Sequence, residues 1–425
     1  GPFGIPAALA GAVAAWLAGK LIDFGLAQLC ALWKPVQPEA PTITTGASPE
    51  TTKTTFGDLR AQLNASGETT DFTQENQKKR LEIIESIVVT GVVENPRIAV
   101  DADGGKAFVK NAKEILRRLG AEADDIPMSA NDLAAAEAIV IVDGTRPSVY
   151  VRDGFVDLEN PLLKNSGWRK DIAKHEDDIR SLIKASGRVL HHSDRSPDIV
   201  FGSAWMLEDG RVATARHVVE NMVIESGGQL LLKDRFYVDF GVEADRPVDP
   251  SNVFRISGVD WAAPEPTHFR VRIDRMDAAI LTLAEHPGRR FPDPVPLMPA
   301  GAEIKSGDWF INIGHPGTPT GSWLVDAEDG DDNTITRAVL EALIGDKFGV
   351  KRLSPGRVAI VPGVYPGDDA TQHVFTHDAA TLAGSSGSAI MTPAPAQMLG
   401  LHFAGQFGTG NFAHYVPALG NHWPA

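Results

Sequence analysis

What most constrains this chain is an ordered set of three short strings in its C-terminal half. They are Val212-Ala213-Thr214-Ala215-Arg216-His217-Val218-Val219, then Asp277-Ala278-Ala279-Ile280-Leu281, then Gly384-Ser385-Ser386-Gly387-Ser388-Ala389. Together they supply an imidazole, a carboxylate ahead of an apolar strand, and a serine on a glycine turn. A serine hydroxyl is a poor nucleophile at neutral pH unless a neighbouring base takes its proton. Histidine fits that task because its unperturbed pKa lies at about 6.5. A carboxylate on the other ring nitrogen fixes the tautomer and stabilises the imidazolium. The residue types therefore assign Ser386 as nucleophile, His217 as general base and acid, and Asp277 as the orienting acid. Gly384 and Gly387 permit a tight turn. Such a turn would aim the N–H groups of Gly384 and Ser386 at one point, as an oxyanion hole.

Chain order discriminates among serine-hydrolase architectures. His, Asp, Ser is the chymotrypsin order, whereas subtilisins run Asp, His, Ser and α/β-hydrolases run Ser, acid, His. The hydrolase elbow also wants Gly-x-Ser-x-Gly, and Ser388 occupies its last position. Residues from roughly 186 to 420 resemble the trypsin-like, chymotrypsin-fold serine peptidases, especially bacterial members without disulfides. Gly202-Ser203-Ala204-Trp205-Met206-Leu207, followed by Asp209 to Ala215, resembles the strand–turn–strand leading into the histidine. Ile311-Asn312-Ile313-Gly314-His315-Pro316-Gly317 resembles the strand and turn that open the second barrel. Gly400-Leu401-His402-Phe403-Ala404-Gly405 resembles the wall of the specificity pocket, and Asn411-Phe412-Ala413-His414-Tyr415-Val416-Pro417 the closing strand. Each string is weak alone; their joint order is strong.

The resemblance implies a mainly β C-terminal part, a double six-stranded antiparallel β-barrel, preceded by a small α/β or helical N-terminal region. His217 and Asp277 would belong to the first barrel and Ser386 to the second, with a peptide strand pairing at an open sheet edge. Two positions depart from the family pattern. Ala389 stands where proline is common, and Arg216 precedes the histidine where a small residue is frequent. Arg216 is expected to point outward, towards substrate or the N-terminal region. At the pocket, the family places the residue six before the nucleophile at the base. Here it is Ala380, not an aspartate, which disfavours Lys or Arg. Thr381 and His402 resemble the glutamyl endopeptidases, where such residues bind an acidic side chain. A protonated or hydrogen-bonded imidazole can receive a carboxylate.

Blander readings compete. Ser386 alone could be an ordinary loop serine, and His217 alone a core or surface histidine. Asp274 rivals Asp277, but only Asp277 leads directly into an apolar strand. A non-cleaving peptide-binding or assembly protein on the same fold is the alternative function. His373 and His377 are four apart but lack a third ligand, His191 and His192 read as a surface pair, and the acidic run Asp326 to Asp332 lacks the glutamate and spacing of an EF-hand. With one cysteine, Cys30, neither an intrachain disulfide nor a cysteine zinc site can form. No metal and no cofactor are expected. The net charge of −15 argues against nucleic acid as partner and leaves a protein or peptide substrate. Cysteine scarcity points to a reducing compartment or to a bacterium that omits disulfides; the bacterial cytoplasm is the expected location, with membrane association open and a periplasmic or secreted site less favoured.

The chain of 425 residues allows two or three domains. Residues 1–33 read as an apolar helix for self-association or membrane contact, since the run is slightly short for a span before Lys20 and lacks the basic start of a leader. Residues 34–75, rich in Pro, Thr and Ser, read as a flexible linker. Residues 76–145 read as a small α/β regulatory unit, with an amphipathic helix from Ala107 to Leu119 stopped by Gly120. A capping box at Ser129 to Asp132 and a buried strand from Ala138 to Val142 complete it. Residues 146–185 form a connector, with a hairpin over Arg146 to Gly154 and a helix from Trp168 to Ala185. Its apolar face is Trp168, Ile172, Ile179, Leu182 and Ile183. Residues 186–425 form the peptidase-like domain.

Overall fold

Short strands and tight turns build most of the molecule, and the turn residues show why. Asp209 and Gly210 take positive φ values of 56° and 71°. They reverse the chain between β4 (Ile199–Met206) and β5 (Arg211–Thr214), which pair antiparallel with Trp205 opposite Ala213. A two-residue turn of this kind matches the twist of the strands it joins. The structure is a computed structural model. It describes residues 102–121, 146–164, 166–193, 198–226, 229–267, 273–317, 347–365, 368, 371–381, 384–406 and 410–419, with 77, 78, 81, 82 and 85 of the preceding segment. The expected apolar helix at 1–33, the linker at 34–75, the capping box, the strand at 138–142 and the acidic run lie outside them.

Six strands close the first barrel. Around it run β10 (Ala279–Leu283), β5, β4, β3 (Ser186–His191), β8 (Phe236–Asp239) and β9 (Val253–Ala262). The second barrel runs β11 (Trp309–Gly314), β14 (Ala389–Pro393), β15 (Ala396–Gln406), β16 (Gly410–Tyr415), β13 (Val374–His377) and β12 (Arg352–Ile360). It closes because β11 pairs with β12 as well as β14, with Ile313 opposite both Leu353 and Ala389. Closure leaves few free strand edges. The two six-stranded antiparallel barrels are those of the chymotrypsin fold. A separate hairpin, β6 (Val223–Ser226) and β7 (Gln229–Leu232), projects after the helix that carries His217.

The connector does not stand apart from the barrels. Its hairpin forms as expected, as β1 (Val149–Arg152) and β2 (Phe155–Val156). β1 continues the sheet of the second barrel, with Val149 opposite Leu353. Val151 also accepts the Ala244 N–H of the first barrel at 3.1 Å. The helix expected over 168–185 is two helices, Trp168–Lys174 and Glu176–Ala185. The break falls at His175, whose backbone leaves the helical region (φ −112°, ψ 29°) and whose ring lies 5.7 Å from that of Trp309. All five residues of the expected apolar face are buried. Ile172 and Ile179 are seven apart, about two turns, so the face survives the break. Burying each such aliphatic side chain stabilises by about 1.5–3 kcal/mol.

Upstream, the expected amphipathic helix runs Ala102–Ala121, passing Gly120, and buries Ala112, Ile115 and Leu116. Residues 77, 78, 81, 82 and 85 are helical. No helix among the described residues is long and apolar enough to cross a membrane.

Candidate active site

β5 delivers His217. The strand ends at Thr214, Ala215 stays extended, and a short helix, Arg216–Glu220, begins. β10 delivers Asp277, which lies two residues before the strand; Ala279 stands opposite Thr214 on β5. Neighbouring strands of one barrel thus bring base and acid together. Asp277 engages His217 twice: Oδ1 accepts the His217 backbone N–H at 2.9 Å, and Oδ2 lies 2.7 Å from ring Nδ1. Asp277 is only 5% exposed. Burial pushes its carboxyl up, but the His217 charge and hydrogen bonds outweigh that and hold it below its ordinary value. For His217, burial pushes the imidazole down, while the Asp277 charge, the Asp277 hydrogen bond and Glu220 prevail and hold it above its ordinary value. Asp277, not Asp274, is the partner.

Contrary to expectation, Arg216 does not point outward: it is 3% exposed. Its Nε donates to the Ala263 carbonyl at 3.2 Å and its guanidinium lies 3.5 Å from Glu220. Glu220 in turn accepts the Thr267 N–H at 2.7 Å. A guanidinium can lie inside only because it is paired, and here it fixes the carboxylate that also bears on His217.

The turn carrying Ser386 comes from the second barrel and wedges against the first. The Ser386 carbonyl accepts the Ser203 N–H of β4 at 2.7 Å, and the Gly387 N–H donates to the His402 carbonyl at 2.7 Å. Gly387 has φ +85°, and a Cβ there would lie 2.1 Å from the Ser203 carbonyl oxygen and 3.1 Å from the Ala215 nitrogen. The turn therefore sits within two residues of His217. The Ser386 hydroxyl is half-buried and makes no hydrogen bond to His217. Gly384, at φ +93°, packs where a Cβ would meet the Gly317 nitrogen at 2.7 Å. Neither its N–H nor that of Ser386 donates a hydrogen bond among the described residues.

Several polar side chains behind this turn escaped the sequence reading. Ser203 Oγ donates to the Gly384 carbonyl at 3.3 Å and accepts the His315 N–H at 3.1 Å. Asn312 Nδ2 donates to Ser388 Oγ at 2.7 Å. His315 is buried, and burial, followed by Lys351 and Arg188, holds it well below its ordinary value. Ser203, Asn312 and His315 lie inside strings that carried the family resemblance, but they gave no separate signal.

At the proposed pocket, Ala380 and Thr381 are half-buried and His402 is buried. Thr381 Oγ donates to Asn411 Oδ1 at 2.6 Å, and Asn411 Nδ2 to the Ala379 carbonyl at 2.8 Å. His402 Nδ1 lies 3.1 Å from His377 Nε2. Burial, with His217 adding to it, pushes His402 down to about 3, and burial then His402 hold His377 well below its ordinary value. Both rings are neutral at physiological pH. Of the two imidazole forms considered from the sequence, only the neutral hydrogen-bonded one fits. His377, read there as half of a bland pair, is the hydrogen-bond partner of the pocket histidine. Among the described residues no group of three or more His, Cys, Asp or Glu can hold a metal ion.

Residues 202–401 match the model of the trypsin-like peptidase domain. The chain is 32% identical over 305 residues to the probable serine protease FE772_23060 of Lysobacter enzymogenes, spanning 68% of this chain and 74% of that one. Among solved structures, the active form of the Rv3671c protease from M. tuberculosis aligns at 17% identity, over 59% of this chain and 84% of that one, with a TM-score of 0.34. The HtrA-type protease AlgW with a decapeptide aligns at 16% identity, over 58% and 65%, with a TM-score of 0.36. With a base and a buried acid joined on one barrel, a serine turn pressed against them from the other, and a relative of this identity over two thirds of its length, the chain belongs to the trypsin-like serine peptidases.

Proposed function

We propose that this protein is an endopeptidase working through a Ser386–His217–Asp277 triad and an acyl-enzyme. The observation that carries the reading is the double hydrogen bond of Asp277 to His217, beside a Ser386 turn seated on the same strand ends. Ser386 Oγ attacks the scissile carbonyl carbon and passes its proton to His217 Nε2. The carbonyl oxygen becomes an oxyanion facing the N–H groups of Gly384 and Ser386, which donate to no acceptor among the described residues. The C–N bond then breaks, and the leaving amine takes the proton from His217. Water, deprotonated by His217, attacks the acyl carbon; the bond to Ser386 Oγ then breaks as His217 returns that proton to Oγ, releasing the acid. Asp277 keeps Nδ1 protonated throughout, so that Nε2 is free to accept.

The pocket reading supports acidic residues before the scissile bond. If His377 Nε2–H donates to His402 Nδ1, the His402 proton lies on Nε2, a neutral donor available to a carboxylate. The N-terminal half is read as regulatory, and residues 3–33 as a self-association or membrane-contact helix; a cytoplasmic bacterial protease needs such restraint. Light scattering of the full chain against one starting near residue 76 tests the self-association.

The deciding experiment exposes the protein to a fluorophosphonate and locates the adduct by mass spectrometry. Labelling at Ser386, with peptide hydrolysis that Ser386→Ala abolishes, is the expected result. A folded protein that takes no label would instead be a peptide-binding relative.

A further inference from the structure

We infer that His414 is a positioning residue that fixes the backbone of Asp277 from the opposite barrel. Both carboxylate oxygens of Asp277 are committed to His217. The Asp277 main-chain N–H donates to His414 Nε2 at 2.7 Å. His414 belongs to β16 of the second barrel, where it stands opposite Val374 and Leu401. Asp277 belongs to the first. The bond therefore links the two barrels.

The ring is enclosed, and its Nδ1 makes no hydrogen bond among the described residues. It is fully buried and stacks on Phe403, with centroids 4.1 Å apart and planes at 10°. His373 lies on another side, with ring centroids 5.0 Å away. An Nε2 that accepts must leave the proton on Nδ1. Burial, then His373, pushes His414 down to about 3, so it does not become a cation at working pH. A cation there would lose the acceptor lone pair. Removing the acceptor strands a buried N–H, and the cheapest relief is a shift of Asp277, which tilts the His217 ring relative to Ser386.

This rests on the triad proposed above, and the test separates the two. Three variants are compared with wild type. His414→Phe keeps the shape and stacking without an acceptor. His414→Asn is polar but too short to reach. His414→Gln places an oxygen near the position of Nε2. Phe and Asn are expected to lower kcat roughly 10- to 100-fold with KM within about twofold, while Gln recovers most of the loss. The acid limb of the kcat/KM profile should also move to lower pH in Phe and Asn, because a displaced Asp277 supports His217 less. The charged and titratable groups facing His217 are Asp277, Glu220 and His402; those facing His414 are Asp277 and His373. Thermal melts identify any variant that fails to fold, and the Asn–Gln pair carries the comparison if Phe does. Folded Asn and Gln variants with equal kcat and the wild-type profile would overturn the inference. A wild-type protein inert to fluorophosphonate would remove the triad reading beneath it.

Discussion

Ser203 hands its backbone N–H to the carbonyl of Ser386 at 2.7 Å, so a strand of the first barrel holds the backbone of a turn built by the second. The close approach is possible only because Gly387 follows. Its positive φ costs an L side chain about 1–2 kcal/mol, and a Cβ would press on the Ser203 carbonyl and the Thr214 hydroxyl. Gly387→Ala should therefore lose at least about 2 kcal/mol of stability by urea unfolding and most of its activity. A variant with wild-type midpoint and turnover would show that the turn is not wedged in this way.

Asp277→Asn should retain the fold and lower kcat by about 10⁴-fold, because the amide no longer enforces the productive tautomer. Peptide hydrolysis with a sensitive fluorogenic substrate reads this directly. A loss below tenfold would mean that another group orients His217.

The pH profile follows from the same pair. His217 must be neutral to accept a proton, and its pKa is raised above 6.5. Activity should fall as pH drops through a midpoint above 6.5. In Asp277→Asn the supporting charge is gone, so the midpoint should move down. Measured kcat/KM from acid to neutral pH distinguishes this from a profile set by the substrate.

If His402 receives an acidic side chain as proposed, that recognition should not titrate as an ordinary imidazole would. The ring stays neutral down to about 3, so preference for an acidic residue before the cut should be flat between about pH 5 and pH 8. His402→Ala should reduce that preference by about 10- to 100-fold, read by peptide-library profiling. A preference that fades as pH rises through about 6.5 would require a charged ring.

Lys351 gives a stability signature away from the cleft. Its ammonium is buried and donates to the carbonyls of Ile183 and Phe240 at 2.6 and 2.9 Å. Burial lowers its pKa from 10.5 to about 8. A lysine depressed in the folded state binds fewer protons there than when unfolded, so its penalty is relieved as pH rises from about 8 to 10.5. Wild type should gain stability relative to Lys351→Met across that window, measured by denaturant midpoints. Parallel curves would place the amine in contact with water.

The sequence exposed what repeats or punctuates. Glycine-flanked Ser386, the Asp277 strand entry and the turn at Asp209-Gly210 each leave a local mark, so the barrels and the three candidate site residues could be named in advance. The helix over 168–185 was legible as a face but not as two pieces, since the break at His175, whose ring lies against Trp309 from far along the chain, leaves the apolar spacing intact. Buried polar residues were the least legible. His377, His414, Ser203 and Lys351 acquire their roles from partners supplied by distant segments, and no spacing within their own segments announces them. Arg216 was misjudged for the same reason: a charged side chain is placed outside by default until Glu220 and the Ala263 carbonyl are seen around it.

The hairpin of residues 149–156 carries one more consequence. Because β1 lies along β12 and Val151 also receives the Ala244 N–H, a chain trimmed to begin at Ser186 would strip a covering ribbon from the second barrel. Bare backbone along Leu353 would then invite another molecule to dock there. Nicking by a contaminating protease between residues 156 and 186 should thus leave the ribbon attached and the preparation clear, whereas recloning without it should yield precipitate.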